Sequence, residues 1–215
     1  MSKILVIVES PGKIKKIEEY LNSLKNGSYI VKASFGHCRD LNSKELSIDV
    51  DNNFEPNYNI IPGKEKVVKE LRGIMKDCSK VVLAADEDRE GEMIAASLKD
   101  LLKLKDYDRI VFHEITKNAI KNAIENPKKI NYDMVYAQQA RRLLDRLVGY
   151  KISPILWKKM QGQLSAGRVQ SVVVKIINDK ENEINDSVSN PYFKTMTNFN
   201  YKKKQFNGTL NIGKD

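Results

Sequence analysis

Short apolar segments alternate with amphipathic ones along the first 125 residues. Four segments have the length and apolar character of buried strands: 4–8, 29–35, 81–85 and 109–115. Four others repeat apolar residues at helical spacing: 11–24, 64–75, 89–102 and 116–124. Strands separated by helices predict an α/β fold, a mainly parallel sheet with helices on both faces. In such a sheet the ligand site lies beyond the carboxyl ends of the strands.

The pattern becomes helical after Pro127. Helices are predicted over 132–148 and 165–184, with a break at 149–154 that contains Gly149 and Pro154. Alternation of apolar and polar residues after Pro191 predicts β structure. We therefore expect three parts: an α/β domain over 1–127, an incomplete mainly α-helical segment over 128–188, and the start of a β-rich domain over 189–215.

An acidic cluster follows the predicted strand 81–85. Asp86, Asp88 and Glu90 alternate with other residues, so their carboxylates point to one side of an extended chain. Oxygen ligands of this kind suit a hard divalent cation such as Mg²⁺. Gly91 permits a sharp turn into the next helix. An exposed acidic turn is the alternative, but the strand directs this cluster to the ligand edge of the sheet.

The segment after the first predicted strand has a second chemical signal. Glu9 ends the strand, and Ser10 and Pro11 are typical of a helix start. Helix N-termini attract phosphate, and Lys13 adds a positive charge there. A capped helix with a solvated lysine explains the same residues. The upstream glycine of a Walker phosphate-binding loop is absent.

Charge and cysteine content narrow the class of protein. The net charge is +9, and residues 131–175 hold four arginines and four lysines against two aspartates. This basic segment predicts a polyanionic partner, with a solvated helical face as the alternative.

The two cysteines, Cys38 and Cys78, lack the spacing of a zinc site and do not predict a disulfide framework. Without an apolar run of about 20 residues, we expect a cytoplasmic protein.

Seven motifs together resemble the successive motifs of bacterial type IA DNA topoisomerases. They are LVIVESPGK (5–13), GHCRDL (36–41), PGKEKVV (62–68), DEDREGE (86–92), EITKNAI (114–120), AQQARR with DR (137–142, 145–146) and LSAGRVQS (164–171). The similarity covers residues 3–185, in family order. It implies a TOPRIM domain followed by the first part of a helical DNA-binding domain.

The resemblance implies roles for individual residues. Family members cleave, pass and reseal single DNA strands with Mg²⁺ and without ATP, and so relax negative supercoils. Glu9, Asp86, Asp88 and Glu90 would bind the metal, and Glu9 would also transfer a proton. Lys13 would sit by the scissile phosphate, and Arg168 would be a further catalytic residue that contacts phosphate. The expected DNA contacts are His37, Arg89, Arg141, Arg142, Asp145, Arg168 and Gln170. His37 remains equally a structural residue of its turn.

The sequence departs from the family at the nucleophile. The family's tyrosine is followed two and three positions later by arginine and threonine, and no tyrosine here has that context. We therefore expect a monomeric, DNA-binding fragment, inactive alone, whose missing C-terminal portion lies in the same or a second polypeptide. Two alternatives remain open: a TOPRIM-type metal-dependent nuclease, and a DNA-binding module.

Overall fold

The computed structural model describes residues 3–24, 27–162, 164–188 and 193–210. The strands within these ranges are β1 (Lys3–Val8), β2 (Ser28–Ala33), β3 (Arg39–Leu41), β4 (Ile48–Asp49), β5 (Glu55–Pro56), β6 (Tyr58–Ile60), β7 (Lys80–Ala84), β8 (Asp108–Ile110), β9 (Met196–Tyr201) and β10 (Lys204–Thr209). The helices are α1 (Ile14–Ser23), α2 (Glu65–Met75), α3 (Arg89–Leu102), α4 (Lys117–Glu125), α5 (Tyr132–Lys159) and α6 (Arg168–Asp186).

A parallel sheet in the order β2-β1-β7-β8 forms the centre of the fold. Val8, the last residue of β1, lies opposite Ala33 of β2 and Ala84 of β7. The carboxyl ends of these three strands therefore meet at one edge, as the sequence predicts. The segments that follow them carry Glu9, His37 and Asp86 to that edge.

Helices cover both faces of the sheet because successive strand side chains point in opposite directions. On one face, strand residues pack with α2 and α3: Leu5, Ile7, Val81 and Leu83 against Val68, Leu71, Ile94 and Leu98. On the other face, strand residues pack with α1 and α4: Val6, Val8, Val82 and Ile110 against Ile17, Leu21, Ile120 and Ala123. The predicted α/β class is confirmed.

Several predicted boundaries are wrong. The strand predicted over 29–35 ends at Ala33, because Phe35 adopts a left-handed conformation with φ of 57°. Strand β3 (Arg39–Leu41), which pairs with β6, is not among the predicted strands. The strand predicted over 109–115 ends at Ile110. Ser10 precedes a single 3-10 turn, but its side chain makes no capping hydrogen bond.

The largest error in the predicted boundaries is the break at 149–154, because helix α5 continues through these residues. A proline inside a helix removes one amide donor, and its ring crowds the carbonyl four residues earlier, so other contacts must hold the helix there. Side-chain contacts hold the helix in the turn just before Pro154. Tyr150 Oη donates to the carbonyl of Ser43 at 2.7 Å, and Ser153 Oγ accepts from the amide of Ala166 at 3.0 Å. Tertiary contacts therefore override the local break signal.

The chain divides into two compact units, Met1–Arg168 and Val169–Asp215. Within the second unit, β9 and β10 form an antiparallel hairpin in which Phe199 and Phe206 stack with ring centroids 5.2 Å apart. The β structure predicted after Pro191 is confirmed for these strands, whereas 189–192 and 211–215 lie outside the described residues. Among the helices that the structure describes, none combines the length and apolarity that a membrane span requires.

Candidate metal and phosphate site

Acidic side chains collect at the carboxyl edge of the sheet. Asp88 is the N-cap of α3, and its Oδ1 accepts a hydrogen bond from the Gly91 amide at 2.7 Å. An added Cβ at Gly91 would lie 2.2 Å from the carbonyl oxygen of Asp86. The loop from Asp86 to Asp88 therefore packs directly on the first turn of α3, which requires glycine at position 91.

Lys13, which precedes α1, contacts this loop. Its Nζ lies 3.3 Å from Asp86 Oδ1, and both side chains are partly exposed to solvent. The pairing brings the segment after β1 against the segment after β7. A cation and a carboxylate thus adjoin each other at the edge where the sequence predicted phosphate and metal binding.

Glu90 joins three parts of the fold. His37 Nε2 lies 2.5 Å from Glu90 Oε1, and the side-chain amide of Gln138 donates to Glu90 Oε2. His37 follows β2, Glu90 lies in α3, and Gln138 lies in α5. Neither pairing could be predicted from sequence spacing, because the paired residues are 53 and 48 positions apart.

Glu9 is partly buried beside the acidic loop. Burial raises the pKa of its carboxyl above the usual value, and the charges of Asp86 and Asp88 raise it further. Lys13 and His37 oppose this effect without reversing it. The raised pKa makes Glu9 suited to hold a proton.

A buried ion pair fixes the backbone of the loop, and sequence reasoning missed it. The Arg109 side chain is fully buried and donates to the carbonyl oxygens of Ala85 at 2.7 Å and Asp86 at 2.8 Å. It also binds Glu92 Oε1 through Nη2 at 2.8 Å. Glu92 Oε2 accepts from the Asn131 amide at 2.9 Å. Arg109 within a short apolar strand was the only available signal.

The donor set suits Mg²⁺ chemically, although it is not arranged as a preformed cage. Among the residues that the structure describes, no three His, Cys, Asp or Glu side chains are grouped to hold a metal ion. Mg²⁺ keeps several waters and binds proteins through one or two carboxylates together with substrate phosphate. Asp86 and Asp88 are carboxylates of this kind, and Asp86 is paired with Lys13 in this structure.

Comparison with known proteins agrees with this geometry. A family model described as Toprim domain matches residues 4–115, and one described as DNA topoisomerase matches residues 129–214. The chain is also similar to full-length topoisomerase I from Thermotoga maritima, at 41% identity and a TM-score of 0.75 over 90% of this chain. The chain belongs to the bacterial type IA DNA topoisomerase family. It spans 32% of the length of the Thermotoga chain.

Three arginines of this type IA family member bind carboxylate or carbonyl oxygens of the protein itself. Arg142 binds both carboxylate oxygens of Asp40, with 2.8 Å between Nε and Oδ1, and Arg146 donates to carbonyl oxygens including that of Asn42 at 2.8 Å. Arg168 Nε donates to Asp145 Oδ1 at 2.9 Å, so Asp145 does orient an arginine.

The structure therefore brings together only part of the predicted set. At the carboxyl edge of the sheet, the structure groups six of the predicted residues: Glu9, Lys13, His37, Asp86, Asp88 and Glu90. Arg89 and Arg141 are exposed on α3 and α5. Gln170 lies in α6, within the second unit.

Proposed function

We propose that this chain supplies the metal-binding and phosphate-binding part of a type IA topoisomerase reaction. In that reaction one DNA strand is cleaved, another passes through, and the break is resealed with Mg²⁺ and without ATP. The observation that supports this most directly is the convergence of Glu9, Lys13 and Asp86 at the carboxyl edge of the sheet. Asp88 and Glu90 extend the same acidic surface.

Each residue has a role that its surroundings favour. Asp86, Asp88 and Glu90, with Glu9, would hold Mg²⁺, which supplies charge neutralisation at the reacting phosphate. Lys13 adjoins Asp86 and places a positive charge where a phosphate would approach. Glu9 carries a raised pKa and would give a proton to the departing 3′ oxygen.

We propose that the DNA partner is single-stranded or underwound, and that its phosphates follow the basic helical surface. Candidate contacts are His37, Arg89, Arg141, Arg142, Arg168 and Gln170, with Arg168 oriented by Asp145. Residues 1–127 would form the Toprim domain, 128–188 the DNA-binding segment and 189–215 the start of a further domain. The nucleophilic tyrosine would come from a portion of the enzyme that these 215 residues do not include.

A chimeric enzyme tests this function. The chain would replace the matched segment of the Thermotoga maritima topoisomerase I, and the chimera would be assayed on negatively supercoiled plasmid with Mg²⁺. We expect relaxation by the chimera and loss of relaxation in its Glu9→Gln variant. Relaxation by the Glu9→Gln or the Asp88→Asn variant equal to that of the unsubstituted chimera would contradict the proposed roles.

The same gel with the chain alone separates the remaining alternatives. We expect neither relaxation nor nicking, because no tyrosine in this sequence is followed two and three positions later by arginine and threonine. Nicking that requires metal and is lost in Asp88→Asn would instead indicate a nuclease that uses water as the nucleophile.

A further inference from the structure

The turn after β2 holds an aromatic residue in an unusual conformation. Phe35 has a φ of 57°, in the left-handed region that favours glycine, and Gly36 follows with a φ of 80°. The Phe35 side chain is 54% exposed to solvent. A glycine at position 35 would adopt this backbone without strain, and core packing alone does not explain a large apolar side chain that is half exposed.

Contacts on both sides of Phe35 fix the turn to the candidate site. The Ser34 amide donates to the Val8 carbonyl at 2.9 Å, and the Gly36 amide donates to the Glu9 carbonyl at 3.3 Å. His37, two residues after Phe35, pairs with Glu90. The aromatic ring therefore lies on a turn that is hydrogen-bonded to the backbone of Glu9.

Lys64 holds the turn from a third direction. Its Nζ donates to the carbonyl oxygens of Ser34 at 3.3 Å and Phe35 at 2.5 Å. The same ammonium lies 5.5 Å from the centroid of the Phe35 ring, within the range of a cation–π contact. A flat apolar surface and a positive charge thus occur side by side, next to the proposed phosphate site.

This pairing matches the chemistry of a nucleotide. A nucleobase has an apolar face that stacks on aromatic rings, and its phosphate is attracted by nearby cations. We propose that Phe35 is a stacking residue for a base of the bound DNA strand, adjacent to the phosphate that lies at Glu9 and Lys13. The inference rests on the proposed function and adds a contact to the base, where the residues of the acidic loop contact phosphate and metal.

Binding of two fluorescein-labelled strands to the full chain tests the proposal by anisotropy. One strand is a short oligothymidylate, and the other is an abasic strand of equal length with the same phosphates. We expect Phe35→Leu, which keeps an apolar side chain but removes the ring, to weaken oligothymidylate binding about tenfold. Phe35→Tyr retains the ring and should bind as the wild type does. The abasic strand should bind all three proteins equally.

Phe35→Gly separates stacking from a structural role. Glycine relieves the left-handed strain, so the thermal unfolding midpoint should be unchanged or higher while oligothymidylate binding falls as in Phe35→Leu. Equal binding of oligothymidylate by Phe35→Leu and wild type would overturn the stacking role alone, as would an equal loss on the abasic strand. Failure of the wild type to bind either strand would overturn the proposed DNA binding together with this inference.

Discussion

Arg109 shows how strongly one buried side chain supports the acidic loop. Arg109→Met removes the positive charge and leaves Glu92 buried without its partner, which costs about 3 to 5 kcal/mol in comparable cases. We expect that loss in the free energy of unfolding, measured by urea denaturation. The loop carbonyls of Ala85 and Asp86 also lose their donor.

Arg168→Met is the matched control, because Arg168 also pairs with a carboxylate but is exposed. An exposed pair contributes about 0 to 1 kcal/mol, so this variant should unfold nearly as the wild type does. Equal destabilisation by the two substitutions would show that burial of the Arg109–Glu92 pair is not what matters.

Asp88 combines a structural role with a proposed metal role, and two substitutions separate them. Asn is as good an N-cap as Asp, so Asp88→Asn should keep the stability of the fold and weaken Mg²⁺ binding measured by calorimetry. Asp88→Ala should weaken binding and also lower stability by about 1 kcal/mol. Undiminished Mg²⁺ binding in Asp88→Asn would exclude Asp88 as a ligand.

Residue-level prediction from the sequence succeeded where one local pattern carried the information. Glu9 and Asp86 end apolar strands, and parallel topology alone brings such residues to one edge. The pairing of Glu90 with His37 and Gln138 depends on how α3, α5 and the turn after β2 pack together. No sequence spacing encodes that packing, so these partners could not be predicted.

Between elements, Asp40 and Arg142 link β3 to α5, and their contact predicts a pH dependence. Partial burial raises the pKa of Asp40, but hydrogen bonds from Arg142 and the Leu41 amide outweigh it, and the pKa falls below its usual value of 3.8. A carboxyl with a lowered pKa stabilises the fold above its unfolded-state pKa, and this stabilisation is lost as the pH falls through the folded-state value.

Wild type should therefore be more stable than Asp40→Asn at pH 7, and the difference should shrink as the pH falls below about 3.8. Urea denaturation across that range measures it. Asp51→Asn, at an exposed position between β4 and β5, is the control and should change the free energy of unfolding little. A difference for Asp40→Asn that does not change with pH would contradict this account.

Two helical glycines should respond oppositely to alanine. Gly91→Ala places a Cβ against the backbone of Asp86, so we expect a loss above about 2 kcal/mol and displacement of the acidic loop. Gly149→Ala meets only the Ala166 carbonyl at 3.8 Å and should stabilise α5 by up to about 1 kcal/mol. Thermal unfolding compares them, and similar midpoints would argue against close packing at position 91.

Elements with a strong apolar period were predicted well, whereas those decided by tertiary contacts were not. The predicted bounds of α3 match the structure, because its N-cap and apolar pattern agree. Helix α5 continues past Pro154 because contacts from Tyr150 and Ser153 outweigh a local signal. Strand β2 ends at Ala33 because Phe35 adopts a left-handed conformation. The sequence does not predict that conformation, since it is normally expected of glycine.

For the whole molecule, alternation of strands and helices sufficed to predict the parallel sheet and the edge that carries the site. The extent of the compact units could not be predicted in the same way. The sequence changes character after Pro127, yet the first unit continues to Arg168 because α5 packs along α3. Val135 and Leu143 of α5 are buried, but amino-acid composition does not show that these two side chains pack into the first unit.

The most direct test of the central claim, that the acidic edge joins metal and DNA phosphate, is the linkage between Mg²⁺ and single-strand binding. Affinity for a labelled oligonucleotide would be measured with Mg²⁺ and with EDTA at matched ionic strength, for wild type and Asp88→Asn. The account predicts that Mg²⁺ strengthens binding by the wild type and has no such effect in the variant. Equal affinity of the wild type in Mg²⁺ and EDTA would contradict it.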